Sequence, residues 1–140
     1  MDTQKPVLLV TNATTENEIV LIKQAITHAQ QQNLHIKMSL VHVIPNLPTC
    51  YFNIPSMVLL TERYYEEARK SLFSVGKALG IEKQNQWLIT GRMKQEVLRL
   101  ANKLKTQFIL ASSSTIPDLH SNNEKNATLI RSISNMSMLA

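Results

Sequence analysis

The residues best suited to chemistry crowd into one polar stretch behind an apolar run: "ILASSSTIPDLHSNNEKNATLI", 109 to 130. Ser114, Asp118 and His120 are the residue types of a hydrolytic triad. A nucleophilic serine of that kind sits on a sharp G-x-S-x-G elbow, and no serine here has one. With no nameable nucleophile, the balance is against an enzyme. Ser112, Ser113, Ser114 and Thr115 instead offer side-chain hydroxyls and backbone amides. Ser121 and Glu124 have capping-box spacing, so a helix should begin near residue 122 and favour an anion at its start. A phosphate or other small anion is the chemistry this turn suits best.

The remaining reactive residues are dispersed. Histidines stand at 28, 35, 42 and 120, with no two at the spacing of a helical metal pair, so no metal is expected. Cys50 is alone, which excludes an intramolecular disulfide and a thiolate cluster, and it reads as an ordinary thiol. "GKALG", 76 to 80, is not a phosphate loop, because Lys77 follows the first glycine inside a helical pattern; Gly76 is expected to allow close helix packing. His42, at the end of an apolar run, reads as a structural histidine. The formal charge of +5 would suit nucleic acid or small anions. The densest basic group, Arg92, Lys94, Arg99, Lys103 and Lys105, lies on one helix and its flanks without interleaved aromatics, so it reads as a solvated face and not as a nucleic-acid interface.

These residues must be positioned by alternating elements. "PVLLVTN", 6 to 12, is continuously apolar, as a strand covered on both faces requires. Thr15 and Glu18 then form a capping box, and Ile19, Ile22, Ile26 and Ala29 share a helical face. "LHIKMSLVHVIP", 34 to 45, alternates in its first half and is solidly apolar in its second. A loop, "NLPTCYFNIPS", leads to a helix over about 56 to 79 with Thr61, Tyr64, Ala68, Leu72, Val75 and Leu79 on one face and Gly80 as its left-handed cap. "QWLIT" is the third strand, and the helix after Gly91 buries Val97, Ala101 and Leu104. "QFILAS", 107 to 112, is the fourth strand. A short helix is expected to carry Leu129, Ile130 and Ile133, and "NMSMLA" to form a closing edge strand.

Strict strand-helix alternation predicts a doubly wound α/β domain over 1–140, with a parallel sheet between two helical layers. Ligands of such sheets bind where strand order reverses, at the carboxyl ends of the strands. That crevice would lie between the turn after strand 1, with Thr11, Asn12 and Ala13, and the turn after strand 4, Ser112 to Thr115, with Val43 at the end of strand 2. Tyr51 and Phe52, in the loop after strand 2, are expected to plug it. No apolar run approaches a membrane span and "MDTQKP" has no signal-peptide core, so a cytoplasmic protein away from membranes is expected.

In this order and spacing the segments resemble the universal stress protein family. "VLLVTNAT" is similar to its opening I-L-V-A-x-D-x-S, "HVIP" to its H-V-x-P, "TGRMKQEVLRLA" to its G-x-x-x-x-x-I-L helix, and "QFILASS" to its D-L-I-V-M-G-S. The resemblance implies a three-layer Rossmann-like fold of the adenine nucleotide alpha hydrolase type, with a five-stranded parallel sheet in the order 3-2-1-4-5. It also implies a homodimer through the last strand, here Met136–Ala140, whose lack of Lys, Glu or Pro leaves an unblunted pairing edge. Members that bind ATP carry G-x2-G-x9-G-[S/T] after strand 4, where glycines let backbone amides reach the phosphates. Here those positions fall on Ser112, Thr115 and Lys125, or Asn123 if the loop is shorter, and no glycine follows Gly91. Asn12 replaces the acidic residue of the opening motif. No cofactor is therefore expected, with ATP or AMP as the alternative through the serine turn. The resemblance points to a stress-response domain that keeps the scaffold and has lost the ATP site.

Overall fold

A computed structural model describes residues 4–46, 53–119 and 129–133. The described elements are β1 (Gln4–Val10), α1 (Glu16–Gln31), β2 (His35–Ile44), α2 (Pro55–Leu79), β3 (Gln86–Thr90), α3 (Met93–Leu104), β4 (Phe108–Ala111), α4 (Ile116–Leu119) and β5 (Leu129–Ser132). The five strands form one sheet in the order β3-β2-β1-β4-β5, and every neighbouring pair is parallel. β1 is central, so its side chains must be covered on both faces. Val7 and Leu9 belong to one core, with Ile22 of α1 and Leu72 and Val75 of α2. Leu8 and Val10 belong to the other, with Val97, Leu100 and Ala101 of α3 and Leu119 of α4. The unbroken apolar run "VLLV" follows from this double burial.

Local signals set the element ends. Thr15 and Glu18 close a full capping box: the Glu18 amide donates to Thr15 Oγ1 at 3.2 Å, and the Thr15 amide donates to Glu18 Oε1 at 2.9 Å. α2 ends at Gly80, whose φ of 70° is the left-handed cap its position predicts. Lys105 makes the same turn after α3 at φ 55° without a glycine's freedom. The 3-10 turn Lys83–Asn85, ahead of β3, has no strong sequence signal and was not expected.

The structure departs from the sequence-based expectations in several places. Leu129 and Ile130 are not helical: Leu129–Ser132 is the edge strand β5, paired with Phe108–Ala111, and Ile133 lies just beyond it. A short apolar run has no period long enough to separate helix from strand, and the free edge of β4 decides it. The stretch Ile116–Leu119, expected to be irregular, is a short helix that buries Leu119. Tyr64 is 49% exposed and does not join the buried face of α2. Gly76 admits a different neighbour from the one expected. A Cβ there would run into the Gln86 amide, which donates from Nε2 to Ile81 O at 2.9 Å. The expected capping box at Ser121 and Glu124, the plug of Tyr51 and Phe52, Cys50, His120 and the strand Met136–Ala140 all lie outside the described residues.

Nothing lies within 4 Å of a Cβ built at Gly80, so Gly80→Ala pays only for its backbone conformation. Urea unfolding should show a loss of about 1 kcal/mol. No loss would place α2's end elsewhere.

Candidate functional site

The carboxyl ends of the strands bring together residues that are far apart in sequence. Thr11 ends β1 fully buried, with its amide on Val41 O at 2.8 Å. At Asn12 the main chain leaves the sheet, and the side chain takes over its pairing. Asn12 Nδ2 donates to Val43 O at 2.8 Å, and Val43 N donates to Asn12 Oδ1 at 2.9 Å. The two bonds fix the amide orientation, because the backbone N–H can only donate and the carbonyl can only accept. A carboxylate could make only one of them. Ala13 follows at φ 61°, which turns the chain back toward α1.

The serine turn closes on itself. Thr115 N and Ile116 N both donate to Ser112 O, at 2.9 and 3.1 Å. Thr115, only 4% exposed, also donates from its hydroxyl to Asn12 O at 3.2 Å, tying the β4 turn to the β1 turn across the crevice. The serine hydroxyls pair as well: Ser112 with Ser114 at 3.2 Å, and Ser113 with Ser132 of β5 at 2.9 Å. In a glycine cradle such amides point at phosphate. Here those of Thr115 and Ile116 are spent inside the turn.

Thr11, Asn12, Ala13, Val43 and Ser112 to Thr115 thus lie at one end of the sheet, with Thr115 against Asn12 and Asn12 against Val43. His42 and Tyr64, read from sequence as structural, and Glu67, not singled out from sequence, join Asn12 and Val43 in a neighbouring cleft of about 250 Å³. The threefold and fourfold steps of α2 placed Tyr64 on the face toward β2, whereas Glu67 is exposed and stands outside that apolar pattern. The cleft is below the roughly 300–1,000 Å³ of ordinary small-molecule pockets. Its described lining includes a carboxylate and neither lysine nor arginine, which disfavours polyphosphate. His42 Nδ1 lies 3.2 Å from Thr11 Oγ1, and burial pushes the imidazole below its ordinary value of 6.5. The histidine is neutral and structural at pH 7. Among the described residues no group of three His, Cys, Asp or Glu could hold a metal ion.

Two outcomes follow. Asn12→Asp, which restores an acidic residue, opposes a carboxylate to Val43 O and should cost about 1–3 kcal/mol by chemical unfolding at pH 7; unchanged stability would contradict the amide clamp. For His42, the folded form binds its proton less tightly than the unfolded one. Its contribution is therefore full above about 6.5 and is lost as pH falls through the lower folded value. Imidazole titration by NMR should give a midpoint under 6.5, and His42→Gln should flatten the acid limb of stability. A midpoint above that value would contradict the burial argument.

Comparison with known proteins agrees with this architecture. No family model matches the chain. Universal stress protein A homolog 1 of Coxiella burnetii is 32% identical over 79 residues, an alignment that takes in 54% of this chain and 55% of that protein. The match thus spans about half the length of this curated relative. Among solved structures, a universal stress protein family member from Burkholderia pseudomallei superposes with a TM-score of 0.60 at 14% identity, over 89% of this chain and 94% of the other. A Pseudomonas aeruginosa protein described as a candidate universal stress protein gives 0.55 at 13% identity, over 98% of this chain and 52% of that one. At such identities the structures show the shared fold. The sequence match and the shared fold together support a universal stress protein A-like family for this chain.

Proposed function

We propose that the chain is a non-enzymatic regulatory domain of universal stress protein type, spanning 1–140, that acts as a homodimer and no longer holds ATP in a glycine cradle. The observation that carries this is the closed serine turn: Thr115 N and Ile116 N are bound to Ser112 O, and Thr115 Oγ1 is bound to Asn12 O. A triphosphate at this turn would find the amides of Thr115 and Ile116 already taken. Every residue of Ser112–Thr115 also carries a Cβ, which holds phosphate oxygens away from the chain. The Asn12 clamp adds to the cost, since it occupies both polar groups of Val43. Dimerisation through Met136–Ala140 rests on the uncharged edge of that segment and on the family resemblance. A cytoplasmic location is consistent with the absence, among the described residues, of any helix long and apolar enough to cross a membrane.

The alternative is a small-anion switch at the same turn. It is favoured by one feature: the paired hydroxyls of Ser113 and Ser132 could exchange their mutual bond for an oxyanion.

Calorimetry with ATP and AMP in magnesium separates the two. Loss of the cradle predicts dissociation constants of about 1 mM or weaker, near the lower limit of useful affinity. Micromolar nucleotide binding would overturn the loss. Sizing of the whole chain should give twice its 15.9 kDa mass, whereas a monomer at high concentration would refute the dimer.

A further inference from the structure

The opposite end of the sheet holds a second cleft. β2 explains its origin. His35, Lys37 and Ser39 alternate with Ile36, Met38 and Leu40. Ile36, Met38 and Leu40 pack into the core under α1 and α2, so the polar set faces the α3 side. Further along that face, Val41 and Val43 are covered by α3. α3 stops at Leu104, and Lys105 turns the chain away at φ 55°. Among the described residues no helix covers the amino ends of β1 and β2 on this side.

The result is a cleft of about 320 Å³ whose polar lining is Gln4, Lys37, Ser39, Asn85, Lys105 and Thr106. That volume lies within the range of small-molecule pockets. Two cations line it, and among the described residues no carboxylate does. Among the described residues neither Lys37 nor Lys105 has an ion-pair partner; the two described salt bridges are Arg69–Glu66 and Arg99–Glu96. Ser39 is 6% exposed, and its hydroxyl makes no hydrogen bond to any described residue. It is a nearly buried donor on the wall of the cleft. Gln4 and Asn85 add side-chain amides. Pro6 and Leu104 supply an apolar part of the wall.

We propose that this cleft binds a small organic anion, a phosphate or carboxylate ester or acid of metabolite size, through Lys37, Lys105 and Ser39. The two ammonium groups supply the charge and Ser39 a directed hydrogen bond, the combination that holds an oxyanion more strongly than neutral donors do. The apolar wall of Pro6 and Leu104 takes the carbon part of the ligand. The site lies beyond the amino ends of the strands, away from the serine turn, and does not depend on whether the crevice binds a nucleotide.

The test is NMR titration of the full chain with inorganic phosphate and with citrate, against sodium chloride at matched ionic strength. Saturable shifts of the Ser39 and Thr106 amides are expected, with the Ser112–Thr115 amides unmoved. The Lys37→Gln, Lys105→Asn double variant should weaken that binding about tenfold or more. Both lysines are exposed and Asn tolerates the left-handed turn at 105, so the fold should survive. Ser39→Ala should weaken binding with both lysines in place. Preference for phosphate or for citrate identifies the head group. Linear shifts equal to those in chloride, binding unchanged in the double variant, or shifts confined to the Ser112–Thr115 turn would overturn the proposal.

Discussion

The amide of Asn12 is the constraint on which the ligand end of this molecule depends. β1 leaves the sheet at this residue while β2 continues to Ile44, so a strand end is left with Val43 N–H and C=O unpaired. Buried backbone groups of this kind must find partners. An asparagine side chain meets both, since it presents a donor and an acceptor in the geometry of a peptide bond. An aspartate presents two acceptors and would leave one group opposed. With the backbone carbonyl of Asn12 also taken by Thr115, one residue joins β1, β2 and the β4 turn. The crevice is then held shut by hydrogen bonds that a ligand would have to replace.

Glycine content and this clamp have a common physical meaning. A phosphate cradle keeps its amides free and its surface bare of side chains. The serine turn carries a side chain on every residue and has two of its amides taken. Ser112 O gathers the amides of Thr115 and Ile116, and α4 starts at once behind them, burying Leu119 beneath the turn. The fold rests on the two apolar layers around β1, which require nothing of the loops. The turns at the strand ends can vary in such a fold without disturbing the sheet.

The parallel sheet was legible because β1, β2, β3 and β4 are apolar runs bounded by clear helical patterns, while the order of its strands came from the family resemblance. The capping box at Thr15 and the glycine cap of α2 were equally readable, since each is a local rule. β5 was not, because the four residues Leu129–Ser132 become a strand only by pairing with β4. Glu67 was hidden for a related reason, being exposed and outside any apolar pattern until α2 is docked on β2, and Tyr64 was legible as part of the helical face but not as an exposed wall of the cleft. The half-alternating start of β2 was visible, but its meaning, an uncovered polar face beyond the end of α3, required knowing where α3 stops. The Asn12 substitution was noticed as a lost charge, whereas its role in pairing Val43 is a property of the folded chain.

The central claim is that the turn after β4 is already bonded to itself and to Asn12, so that the amides of Thr115 and Ile116 are not available to phosphate. Amide hydrogen exchange at Thr115 and Ile116, followed by NMR with and without magnesium ATP, addresses it directly. The account predicts two protected amides whose exchange is the same in both conditions. Fast exchange in the free protein, or protection that appears only with ATP, would contradict it.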